Sequence, residues 1–120
     1  MREPGARQRA EREGRRAETL ACWLLRAKGY RVLERRYRCS AGEIDVVARR
    51  GRLVCFVEVK ARATRQAALS ALTPRGRQRI ERAAMVWLAR RRLDPEVRYD
   101  LVAVVGWRAF HQKAAWRPGL

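Results

Sequence analysis

Apolar residues recur at helical spacing in two stretches, with short β-type runs around them. Ala17, Leu20, Ala21 and Leu24 stand at i, i+3, i+4 and i+7 and predict a helix over residues 13–28, with Glu18 and Leu25 at the edge of the stripe. Gly29 follows in the position where helices end on a left-handed residue. Residues 30–37, carrying Val32 and Leu33, predict a short strand, and Ser40-Ala41-Gly42 a turn. Residues 43–48 and 53–61 predict two more strands, joined through Arg49-Arg50-Gly51-Arg52 as a β-hairpin. Leu53 to Val57 is an unbroken apolar run, as expected of a strand covered on both faces. Residues 62–72 are rich in Arg and Ala and read as an irregular connection. Thr73-Pro74 sets an N-cap residue before a proline at the first helical position. That second helix runs to about Arg92, with Ile80, Ala83, Ala84, Trp87 and Leu88 as its stripe and Arg77 extending it. Asp94-Pro95 breaks the chain, residues 98–105 predict a last strand, and residues 107–120 form a tail. The expected order is αβββαβ, an α/β (α+β) fold with a mixed sheet flanked by helices.

The length of 120 residues predicts one domain over residues 13–120, preceded by a basic, flexible lead-in over 1–12. No apolar stretch is long enough to span a bilayer, and residues 1–16 hold no apolar signal core, so the expected location is cytoplasmic. Cys22, Cys39 and Cys55 are widely spaced and fit neither a disulfide framework nor a zinc site; buried or half-buried free thiols are expected. One histidine, His111, and two serines, Ser40 and Ser70, leave little for Ser-His-Asp or Cys-His catalysis. The formal net charge of +17 changes the picture more. It points to polyanionic partners, nucleic acid first and ribosomes or anionic membrane after it. Only Lys28, Lys60 and Lys113 are lysines among the 29 basic residues, a bias that suits a GC-rich genome but does not account for the excess over 12 acids.

The chemistry-bearing constellation lies on the predicted hairpin. With a loop centred near Gly51, Asp45 falls opposite a residue between Phe56 and Glu58, where facing side chains stand about 4.5–5.5 Å apart. Glu58 and Lys60, at i and i+2, share a face. Two carboxylates with the Val59 carbonyl and waters suit an octahedral Mg²⁺ or Mn²⁺. A lysine beside such a metal can orient or deprotonate water and counter charge on a phosphate, and its titratable amine is something Arg cannot supply. Alternating charges on an exposed strand are common, but these follow the most apolar run in the chain, where unpaired charge is costly.

Gly42-Glu43-Ile44-Asp45 and Phe56-Val57-Glu58-Val59-Lys60-Ala61-Arg62 resemble the YraN family of small bacterial proteins, a branch of the PD-(D/E)XK or restriction-endonuclease-like superfamily. The resemblance extends to Glu18 in the first helix, Gln78-Arg79-Ile80 in the second and Arg98 to Val102 in the last strand. It implies a restriction-endonuclease-like core related to Holliday-junction resolvases, with Asp45 and Glu58 as metal ligands, Lys60 positioning water and Glu18 adding a catalytic carboxylate. Arg62, Arg77 and Gln78 would contact nucleic acid, Arg77 keeping the charge where the family has lysine. The expected function is a Mg²⁺- or Mn²⁺-dependent endonuclease acting on DNA, with branched or damaged DNA as candidates. A homodimer follows only by analogy with resolvases. The alternatives are a non-catalytic nucleic-acid-binding protein on the same fold and a basic protein docking on ribosomes or membrane.

Several residues carry two readings. Glu18 is either catalytic or a helix-surface carboxylate paired with Arg15. Glu43 is either an outer partner of Asp45 or a turn residue. Asp100 is expected to pair with a nearby Arg. Trp23, Trp87, Trp107 and Trp116 are expected in a core or interface, ahead of a role in stacking bases. Arg90-Arg91-Arg92 is a solvated helix end that also suits phosphate.

Overall fold

The computed structural model describes residues 5–119. The elements are α1 (Ala6–Ala27), β1 (Arg31–Cys39), β2 (Gly42–Arg50), β3 (Leu53–Ala61), α2 (Arg65–Ser70), α3 (Pro74–Arg91), β4 (Glu96–Val105) and β5 (Arg108–Trp116). The mixed sheet flanked by helices is as expected, but the order is αβββααββ rather than αβββαβ. Both additions escape periodicity for physical reasons. Six residues give α2 too few turns to show a stripe, although Thr64 caps it by accepting the Ala67 N–H at 3.0 Å. In β5 the inside–outside alternation is broken where the pairing with β4 shifts near Ala114, whose φ is 48°.

The first helix starts at Ala6, so residues 6–12 of the expected lead-in are helical, while residues 1–4 and Leu120 lie outside the described residues. Arg, Gln, Glu and Ala are good helix formers, and Arg7 and Glu11 pair at i,i+4 across 3.7 Å. Further along, α1 buries Ala17, Glu18, Ala21, Cys22 and Leu25, a face rotated from the expected stripe, with Leu20 and Leu24 half-buried. Gly29 ends the helix as expected. At φ 91° its N–H donates to the Arg26 carbonyl and the Tyr30 N–H to that of Leu25, both at 3.0 Å.

The strands lie in the order β1-β2-β3-β4-β5, with β3 and β4 parallel and the other pairs antiparallel. The α2–α3 segment makes the crossover that parallel pairing requires. One face packs on α1 through Ala17, Ala21, Cys22, Leu25, Val46, Val57 and Val102. The other packs on α3 through Ile44, Val47, Phe56, Ile80, Ala84, Trp87 and Leu101. β3 is thus covered on both faces, as its apolar run requires. In the hairpin, pairing reaches Arg50 opposite Leu53 and leaves only Gly51-Arg52 as the link.

Thr73 caps α3 by accepting the Gly76 N–H at 3.1 Å, with Pro74 in the first turn, as expected. This helix start presses on the beginning of β2. A Cβ placed on Gly42 would stand 2.4 Å from the Arg79 carbonyl oxygen, which is helix backbone and cannot step aside. Gly42→Ala is therefore expected to cost about 1–3 kcal/mol by overpacking. Urea denaturation measures this, and an unchanged midpoint would contradict the close approach.

Candidate active site

β2 runs paired with both neighbours until Val46, opposite Val57; beyond that point it leaves β3 and stays with β1 through Ile44–Tyr37 and Gly42–Cys39. The next facing pair would be Asp45 and Glu58, so the register sharpens the expected near-opposition. The alternation in β2 breaks here, since Ile44 and Val47 both belong to the α3-side core. Asp45 fills the gap with its side chain: Oδ2 accepts the Val59 N–H at 2.8 Å, replacing the acceptor that continued strand pairing would supply.

The two carboxyl groups meet in this split. Burial first, and then the adjoining Asp45, push the Glu58 carboxyl far above the usual carboxylate range; Lys60 and the Val59 N–H act in the opposite direction. The structure therefore brings together Asp45, Glu58, Val59 and Lys60.

Asp45 and Val59 also line a cavity of about 360 Å³ beneath α1, together with Arg15, Glu18, Arg36, Arg38 and Glu43. Glu18 borders this space without joining the carboxyl pair. It is only 6% exposed, which removes the surface reading, and its partners are Arg35 at 3.2 Å and Arg36 at 3.1 Å rather than Arg15. Arg36 follows Arg35, the partner of Val46, and so stands beside Asp45 with φ at 52°, a left-handed backbone that a non-glycine residue adopts at a cost. Glu43 is exposed and pairs with Arg38 at 3.4 Å.

The expected nucleic-acid contacts are more dispersed. Arg62 is exposed just past Lys60, its side chain donating to the Ala61 carbonyl at 2.8 Å. Gln78 is exposed on α3. Arg77 is half-buried, 5.9 Å from the Trp116 ring, and its buried Nε has no hydrogen-bond partner among the described residues.

Asp100 pairs with an Arg as expected, but the full arrangement is larger. Its fully buried carboxylate accepts two bonds from Arg98 at 2.8 Å, one from His111 Nε2 at 2.8 Å and one from the Ala114 N–H at 2.9 Å. Lys28 Nζ lies 2.6 Å from His111 Nδ1. An ammonium only donates, so Nδ1 accepts and Nε2–H points to Asp100. An acid within an apolar strand and the only histidine were the available signals, yet nothing in their spacing pairs them. The thiols behave as expected: Cys22 and Cys55 are buried and Cys39 is half-buried, with the Cys55 thiol pushed up to about 12 by burial and by Asp100. Of the four tryptophans expected in a core or interface, Trp87 and Trp116 are core residues, whereas Trp23 and Trp107 are 65% and 75% exposed and lie outside the core.

Residues 17–104, which include every member of the carboxylate–lysine group, match the uncharacterised protein family UPF0102. The chain belongs to this family. It is 56% identical over 117 residues to the UPF0102 protein of Maricaulis maris, covering 95% of this chain and 92% of that one. The UPF0102 protein of Paramagnetospirillum magneticum is 52% identical over 122 residues, covering 93% and 92%. That of Parvibaculum lavamentivorans is 53% identical over 112 residues, covering 91% and 84%.

For a metal, this UPF0102 site offers a restricted donor set. No group of three or more His, Cys, Asp or Glu side chains gathers among the described residues. The donors that do meet are hard oxygens from Asp45 and Glu58. That set fits Mg²⁺ or Mn²⁺, which are commonly held by one or two carboxylates with waters and substrate phosphate completing the shell. No helix among the described residues is long and apolar enough to cross a membrane.

Proposed function

We propose that this chain is a metal-dependent endonuclease that hydrolyses phosphodiester bonds in DNA. The observation that carries the reading is the meeting of Asp45 and Glu58 where β2 leaves β3, with Lys60 acting on Glu58, in a chain of net charge +17. The resemblance to the YraN branch of the PD-(D/E)XK superfamily supports the same reading and brings a restriction-endonuclease-like core and resolvase-like pairing into the proposal; a cytoplasmic location is part of it on the sequence reading alone. Asp45 and Glu58 would hold Mg²⁺ or Mn²⁺ with Val59 alongside. Such an ion lowers the pKa of water and offsets charge on phosphate. Lys60 orients the attacking water and faces the charge that develops on the phosphoryl oxygens. Arg62 past the end of β3 and Arg77 on α3 hold the DNA backbone by charge, with Gln78 next to Arg77. Glu18, held by Arg35 and Arg36, positions those cations at the cavity wall.

The test is cleavage of linear, flapped and four-way DNA with Mg²⁺ or Mn²⁺. Lys60→Ala is expected to lower the rate about 10²–10³-fold, the scale for losing one aimed electrostatic group. Undiminished cleavage by this variant overturns the assignment. A second reading, a nucleic-acid-binding protein without cleavage, is favoured by the absence of a third carboxylate at the pair among the described residues. It predicts salt-sensitive duplex binding, with a log–log slope of about −0.9 for each phosphate neutralised, and no metal-dependent product.

A further inference from the structure

The sheet continues sideways from the carboxylate–lysine group. Glu58 is in register with Leu101 and Leu101 with Gln112; Lys60 is in register with Ala103 and Ala103 with Phe110. Residues in register share a face, so these rows cross the sheet on the side covered by α2 and α3. Strands lie about 4.8 Å apart, which sets Phe110 on the order of 10 Å from Lys60 along the row. At the far end of the rows is a second pocket, about 170 Å³, between α2 and the β4–β5 pair.

Its lining is uneven in a useful way. Leu101 and Ala103 make an apolar floor, Leu69 an exposed rim and Phe110 one wall. The Arg65 guanidinium lies 4.4 Å from the Phe110 ring centroid and that of Arg108 lies 5.7 Å from it. Gln66 and Gln112 stand at the mouth, exposed, and neither side chain has a hydrogen-bond partner among the described residues. The volume lies below the roughly 300 Å³ of ordinary small-molecule sites. It suits one planar ring.

We infer that this pocket takes a single unpaired nucleobase of a DNA strand whose backbone continues toward Lys60. The inference rests on the endonuclease reading and names its substrate class, DNA with unpaired bases. The apolar floor and the Phe110 wall, with the Arg65 guanidinium lying over the ring, give a base a planar aromatic–guanidinium surface to stack against, and the arginines add charge for the adjoining phosphates. The two amides can donate to and accept from a base edge. An apolar side chain of a protein partner would leave both amides and the lining Arg65 without use. A base still paired in a duplex cannot enter, because its ring is stacked and its edge is occupied.

The test compares binding of a fluorescein-labelled oligothymidylate and of a labelled duplex of equal length, by anisotropy in EDTA. Phe110→Leu removes the aromatic face at similar apolar volume, and Leu69→Trp fills the mouth from an exposed position. Each is expected to weaken single-strand binding about tenfold, the scale of one lost base stack, and to leave duplex binding and the salt slope unchanged. Thermal melting checks folding; if Phe110→Leu unfolds, Leu69→Trp alone decides the matter. Equal losses on both DNA forms, or no loss on either, overturn the pocket. Mn²⁺ calorimetry on the same proteins separates the two claims. Metal binding without base selectivity leaves the nuclease reading standing and removes this one. Base selectivity without metal binding removes the nuclease reading, and with it the claim that the base belongs to a substrate, and leaves only a base-binding pocket.

Discussion

Asp45→Asn is expected to abolish Mn²⁺ binding in calorimetry and to cut DNA cleavage by at least about a hundredfold, while the metal-free protein becomes more stable. The first two effects follow from removing one of the two carboxylates that meet at the split between β2 and β3. A divalent ion contributes several kcal/mol of charge stabilisation, and each 1.36 kcal/mol is about tenfold in rate. The stability effect has the opposite sign. Without metal, desolvation first and then the adjoining Asp45 make Glu58 resist ionisation. Asparagine keeps an oxygen for the Val59 N–H that Oδ2 now accepts at 2.8 Å, and its amide can donate to Glu58. A gain of about 0.5–2 kcal/mol is expected, the usual return when a strained functional group is relieved. The wild type should recover stability with added Mn²⁺, by about 2.7 kcal/mol at a hundredfold excess over Kd, and the variant should not. Melting curves with and without Mn²⁺ read both effects. A variant that melts earlier than wild type in EDTA would show that the carboxyl pair is a stabilising feature and not a site awaiting a cation.

The second large effect belongs to Asp100 in β4, in register with Val57. Asp100→Ala is expected to cost about 3–5 kcal/mol, a large part of the 5–15 kcal/mol that holds a typical domain together. The loss comes from what remains behind. Arg98 loses both of its 2.8 Å acceptors, His111 Nε2–H has nowhere to donate, and the Ala114 N–H in the irregular part of β5 is orphaned. The same carboxylate predicts acid sensitivity. Burial by itself would raise its pKa, but His111, Arg98 and the Ala114 N–H outweigh burial and hold Asp100 well below the ordinary 3.8. A depressed carboxylate stabilises the fold at pH values above its unfolded pKa. That stability is lost as pH falls below about 3.8 toward the folded pKa. Urea midpoints of the wild type should therefore drop across this range, and those of Asp100→Ala should lack this component. Parallel acid limbs for the two proteins would show that Asp100 does not carry the effect.

These two predictions fall on residues of unequal legibility. Asp45, Glu58 and Lys60 could be found in the sequence because a hairpin is local. Strand period and the position of Gly51 fix which side chains face one another, and the register places Glu58 next beyond the Val57–Val46 pair. Asp100 could be noticed but not explained. Its partner His111 comes from β5 and is itself met by Lys28, while its partner Arg98 is met by Tyr30, both just past the end of α1; β5 was hidden by its exposed edge position and its irregularity at Ala114.

By itself the sequence determined the helix stop at Gly29, the Thr73-Pro74 start of α3, the β2–β3 hairpin, the both-sides burial of β3 and the residues at the carboxylate–lysine site, because each depends on chain neighbours or a single periodicity. Tertiary structure alone decided the rest. It rotated the buried face of α1, because that face is chosen by the sheet it meets, and so turned Glu18 inward to Arg35 and Arg36. It parted β2 from β3 at Asp45, and it set β4 and β5 beside β3, carrying Phe110 into the row of Lys60. Such contacts join residues far apart in the chain, and only the shared packing of two cores against one sheet selects them.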